Sequence, residues 1–65
     1  MSKNYQKRVC DEFNDLNRKI TKLAEFINSG AGNLEAAEVI LLHRQLSAMV
    51  LYSSILLERI DKFES

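Results

Sequence analysis

The apolar residues of this chain recur in two long stretches at steps of three and four. Val9, Phe13, Leu16, Ile20, Leu23 and Ile27 follow one another in alternating steps of four and three. Leu42, Leu46, Met49, Ser53, Leu56, Ile60 and Phe63 keep the same rhythm in the second half. An α-helix repeats every 3.6 residues, so this spacing lines up as one seam per helix, the a/d pattern of helices packed side by side. The pattern predicts helix 1 over about residues 4–29 and helix 2 over about 34–63. Between them, Ser29-Gly30-Ala31-Gly32-Asn33 holds both glycines of a chain without proline. Gly30 suits the left-handed position that ends a helix, and Asn33 suits the N-cap of the next. Glu35 and Glu38 follow in the first turns of helix 2, where the helix dipole favours acid. A turn confined to residues 30–33 forces the helices antiparallel, so the expected fold is all-α, a two-helix hairpin forming a single domain over 1–65.

Helix 2 carries more apolar surface than its seam uses. Residues 39–57 leave Leu41, Ala48 and Ile55 on one flank of the seam and Val50 and Leu57 on the other. One packing partner covers a stripe of roughly 100°. The surplus therefore predicts a homo-oligomeric helical bundle, with those five residues at the interface. Size points the same way, because 65 residues lie near the lower limit for folding alone. Cys10 is the only cysteine, which excludes an internal disulfide, and one Cys with one His disfavours a structural zinc. Helix 1 instead borders its seam with charge, in a mixed stripe of Arg8, Glu12, Asp15, Lys19 and Lys22.

Nine basic and nine acidic residues cancel, so no overall field draws the protein to nucleic acid or to a membrane surface. The N-terminus has no apolar signal region. His43, Arg44 and Gln45 interrupt the apolar run of helix 2, short of the roughly 20 residues a bilayer span needs. The unpaired cysteine fits a reducing compartment. These features predict a soluble, cytoplasmic protein that engages neither membrane nor DNA.

No enzymatic constellation is visible: there is no phosphate-binding glycine loop, no paired histidines on a helix and no Ser, His and Asp set. The chain is expected to be no enzyme, with no catalytic residue, cofactor or metal. His43, at the edge of the helix 2 seam, reads as an ordinary half-buried histidine, and Cys10, beside Val9, as a small packing residue. One polar pattern stands out. Glu38, Gln45, Tyr52 and Arg59 recur every seven residues in a line beside the helix 2 seam. They form either a polar rim between helices, as at coiled-coil e and g positions, or a ligand-lining stripe. In the second case tyrosine stacks on a base, arginine grips phosphate and glutamine reads a base edge, facing Arg8, Lys19 and Lys22 of helix 1. Tyr5 either closes over such a site or caps the end of the bundle.

Arg8-Val9, Glu12, Leu16, Ile20, Lys22-Leu23 and Phe26-Ile27, followed by Leu41-Leu42, Gln45-Leu46, Ala48-Met49, Tyr52, Leu56 and Arg59-Ile60, form a recognisable pattern. Over about residues 5–63 the chain resembles a short helical-hairpin family of phages and prophages, related to the hairpin domain of anti-CBASS and anti-Thoeris sponge proteins. The Gln-x-x-x-Met-x-x-Tyr run ending in Arg59-Ile60 is the discriminating part. The resemblance implies an oligomer without catalytic activity that sequesters cyclic oligonucleotide or cyclic ADP-ribose signals in the host cytoplasm, in pockets between protomers. Carried onto this chain, it implies ligand contacts from Arg8, Lys22, Gln45, Tyr52 and Arg59. Two other readings stay open. One is a protein-binding module that docks a host or phage protein on the flanks of helix 2. The other is an RNA-binding four-helix-bundle dimer, which needs Arg18, Lys19 and Lys22 to cluster on one face.

Overall fold

A computed structural model describes residues 4–63. It contains two helices, α1 at Asn4–Asn28 and α2 at Ala36–Phe63, with no strand among the described residues. They form a rod of 49 × 14 × 14 Å with a radius of gyration of 14.9 Å. A globular domain of this length has a radius of gyration of about 11 Å, so one hairpin is a narrow column with little interior. Both predicted seams face inward, and each of their residues is buried or half-buried. Val9, Leu16 and Leu56 make the centre of the core, with Phe13, Ile20, Met49, Ile60 and Phe63 packed against it. Leu56 is the deepest residue, at 0% exposed.

Two contacts tie the helices at particular points. The Ser53 hydroxyl bonds the side-chain oxygen of Asn17 at 2.8 Å across the hairpin. At the open end, the Tyr5 ring meets Phe63 edge-on, with centroids 5.7 Å apart and planes at 90°. Such edge-to-face contacts add about 0.5–1.5 kcal/mol beyond buried area. Tyr5 is thus a cap on the bundle end.

The turn differs from the expectation on its second side. Gly30 does end α1: its N–H donates to the Ile27 carbonyl at 3.1 Å and the Ala31 N–H to the Phe26 carbonyl at 3.1 Å. This is the Schellman pair of bonds that satisfies carbonyls at a helix end. The left-handed stretch then continues, with φ +99° at Gly30, +55° at Ala31 and +63° at Gly32. That detour delays the next helix, so Asn33 is not its N-cap. Leu34 N–H donates to the Ala31 carbonyl at 3.4 Å, and Glu35 supplies the first accepting carbonyl of α2, taken by the Val39 N–H at 3.0 Å. The link is therefore longer than residues 30–33, and Glu35 stands at the cap position instead of inside the first turn.

By length and composition alone, α2 could cross a membrane, so His43, Arg44 and Gln45 interrupt it less than the sequence suggested. Only 6% of its apolar window is buried within the hairpin. That face is left for something else to cover.

Candidate functional site

Along one flank of the hairpin, α1 places Arg8, Glu12, Asp15 and Lys19 one above another at steps of three and four. Tyr52 of α2 stands opposite them and Leu16 lies at the base. Together with Asp11 they line a groove of about 380 Å³, inside the roughly 300–1,000 Å³ range of small-molecule sites.

Charge in this groove is partly cancelled before any ligand arrives. Lys7 pairs with Asp11 at 3.0 Å, and Arg18 pairs with Asp15. Each is an exposed pair within one helix turn and contributes about 0–1 kcal/mol to stability. Their electrostatic consequence is larger than their energy, because two of the three groove carboxylates already hold a cation. Arg8 and Lys19 have no ion-pair partner among the described residues. Two unengaged cations and one unengaged carboxylate, Glu12, thus surround an exposed tyrosine. Arg8 offers a planar fork of donors and Lys19 a point charge, both suited to phosphate oxygens. Tyr52 offers a ring on which a base can stack.

Of the residues read from the sequence as ligand-binding, the structure brings Arg8 and Tyr52 to this groove. Lys22 lines a second concavity of about 490 Å³, together with Asn14, Asn17, Arg18, Thr21 and Glu25 of α1. The step from Lys19 to Lys22 turns about 60° around α1, and Lys22 lines this second concavity and not the groove with Tyr52. Gln45 and Arg59 line neither concavity, and the Gln45 amide lies 4.0 Å from the Met49 sulfur. Among the basic residues, Lys19 lines one groove and Arg18 and Lys22 the other. His43 is exposed, not half-buried, because it falls one step outside the inward arc of α2. Cys10 is half-buried and unbridged.

The outer face of α2 is the other notable surface. Leu41, Ala48, Val50, Ile55 and Leu57 are all exposed. Two further apolar residues, Ile40 at 59% and Leu51 at 63%, are the most exposed large hydrophobics among the described residues. Counting flanks beside one seam missed them, since both point directly away from α1. Their signal was present all the same, as a second heptad line on the same helix.

A family model described as Sequestin matches residues 3–62. The chain belongs to the Sequestin family. The match takes in both helices and the turn, so Arg8, Lys19 and Tyr52 all lie within it. It agrees with the resemblance to a short, phage-type sequestering hairpin. No curated protein and no solved structure matches the chain.

Proposed function

We infer that this protein is a non-catalytic, homo-oligomeric sponge of the host cytoplasm. It holds a cyclic oligonucleotide or cyclic ADP-ribose type of immune signal and keeps it from the effectors of anti-phage defence. The observation that carries this reading is the groove between α1 and α2, where the unengaged cations Arg8 and Lys19 flank the exposed ring of Tyr52. That trio offers what a nucleotide phosphodiester needs, namely charge for the phosphates and an aromatic face for a base. The family name Sequestin, which speaks of sequestration, supports the same role. Holding a signal intact needs affinity and no reacting group.

Thermal shift against cyclic dinucleotides, cyclic trinucleotides and cyclic ADP-ribose isomers tests the reading. A ligand at a hundredfold excess over its Kd stabilises the folded state by about 2.7 kcal/mol. The bound ligand should be recovered unchanged after heat release. A panel in which nothing moves the melting point, or in which the ligand is hydrolysed, overturns it.

A further inference from the structure

α2 carries a second heptad seam on its outer side. Ala37, Leu41, Arg44, Ala48, Leu51 and Ile55 follow in steps of four, three, four, three and four, and every one of them is exposed. The hairpin as a whole has too much surface. Its accessible area is 5197 Å², whereas a self-sufficient monomer of 7.5 kDa exposes about 4,200 Å². The excess, roughly 1,000 Å², is comparable to the about 800 Å² that each partner buries in a standard stable interface.

The charges beside this seam decide the orientation of whatever covers it. Glu38 and Arg59 lie on one edge of it near opposite ends of the helix, and Arg44 and Glu58 lie within it. Laid parallel, a second α2 would put Glu38 against Glu38 and Arg44 against Arg44. Laid antiparallel about a two-fold axis near Ala48, it puts Glu38 beside Arg59 of the second copy and Arg44 about a turn and a half from Glu58 of the second copy. Glu38 and Arg59 then meet their opposites at both ends. Small Ala48 faces large Leu51 at the centre, the alternation that lets two helices approach closely.

We propose that a second copy of this chain covers the outer seam of α2 in antiparallel orientation, with the two-fold axis near Ala48, and that Gln45 of the second copy stands beside Tyr52. The second statement follows from the symmetry. A two-fold axis normal to a pair of antiparallel helices keeps like edges on the same side, so the line Glu38–Gln45–Tyr52–Arg59 runs against its own reverse. The grooves of the two copies then open on one side of the assembly and flank the axis. Each gains an amide from the other chain. This deepens the sponge reading by naming the residue a partner adds to that site, and it recasts Arg59 as a bridge to Glu38 of the second copy. The pairing itself is testable without any ligand.

Two measurements on the full chain in ligand-free buffer decide it. Light scattering at tens of micromolar should give at least twice the chain mass of 7.5 kDa. Glu38→Arg and Arg59→Glu should each weaken self-association by about tenfold or more, while the double exchange E38R/R59E restores it at unchanged helicity. In a Cys10→Ser background, a short bis-maleimide should link Leu51→Cys to itself and Leu41→Cys to Glu58→Cys in a mixture. It should not link Leu41→Cys to itself, because antiparallel pairing holds those positions about 21 Å apart at 1.5 Å per residue. A larger assembly with the same cross-links retains the pair. A monomer, failure of the double exchange to restore mass, or self-linking at Leu41→Cys overturns the proposal, and none of these bears on whether the groove takes a nucleotide.

Discussion

The Ser53 hydroxyl and the Asn17 side-chain oxygen, 2.8 Å apart, form a polar contact between the inward faces of the two helices. Ser53 occupies a seam position that is otherwise apolar, and it is only 9% exposed. A seam of Leu, Met and Ile alone is tolerant of sliding, since one heptad resembles the next. A hydrogen bond at one level distinguishes this register from those one turn away, as a buried polar residue does in coiled coils.

Ser53→Ala should therefore cost about 0.5–1.5 kcal/mol, the net value of an ordinary hydrogen bond. Asn17→Ala should cost a similar amount. The double variant should be less destabilised than the sum of the singles. Urea unfolding at one fixed protein concentration measures the coupling, and strict additivity would show that the contact carries no energy.

Leu56 and Leu51 lie on opposite sides of the same helix, one at 0% and the other at 63% exposure. Leu56→Ala should destabilise by about 2–5 kcal/mol through the cavity it leaves. A core this small has little else to hold it, so the helical signal itself should weaken. Leu41→Lys combined with Ile55→Lys should behave in the opposite way, leaving the seam intact while reducing the mass to one chain. Circular dichroism and light scattering on the same samples separate the two outcomes. Retained assembly at unchanged stability in the Lys double variant contradicts the role given to the outer face.

Gly30 is constrained by its backbone, not by space. A Cβ there would meet nothing within 4 Å, yet φ is +99°. Gly30→Ala is expected to cost roughly 1–2 kcal/mol from the left-handed conformation alone. Thermal melting checks it, and a neutral result would mean that the turn relaxes to another geometry.

Ligand binding should depend on one groove and ignore the other. Tyr52→Ala removes a stacking face and should weaken a nucleotide by about tenfold to a hundredfold, since stacking is worth about 1–3 kcal/mol per base. Arg8→Ala should do at least as much, because a hydrogen bond to a charged group is worth about 1.5–3 kcal/mol. Lys22→Ala, in the second concavity, should leave affinity unchanged within error. Calorimetry on the three variants is the check. Equal losses at Lys22 and Arg8 would move the site away from the groove.

Cys10 is half-buried, unbridged and outside the groove. Cys10→Ser is expected to cost at most about 1–3 kcal/mol, the penalty of placing a hydroxyl where its partners are incomplete. Affinity for ligand should be unchanged. Loss of binding in a variant that melts normally would point to thiol chemistry.

Heptad spacing determined the two helices and their apolar inward seams, and the single glycine turn their antiparallel pairing, because a 3.6-residue repeat leaves only one way to line up Val9 to Ile27 and Leu42 to Phe63. The same spacing exposed the surplus of Leu41, Ala48 and Ile55 on α2. Where helices pair over their whole length, local periodicity and tertiary packing carry the same information. The turn did not obey that rule. Residues 30–32 all take positive φ, a choice made by how α2 must return to the core, and it displaced the cap from Asn33 to Glu35. Site membership also lay beyond periodicity. Lys19 and Lys22 look equivalent on a charged stripe, but only the placement of α2 decides which side of α1 has Tyr52 across from it. The exposure of Ile40 and Leu51 was decided in the same way, since a helix apolar on most of its circumference acquires an inside and an outside only when its first partner has packed.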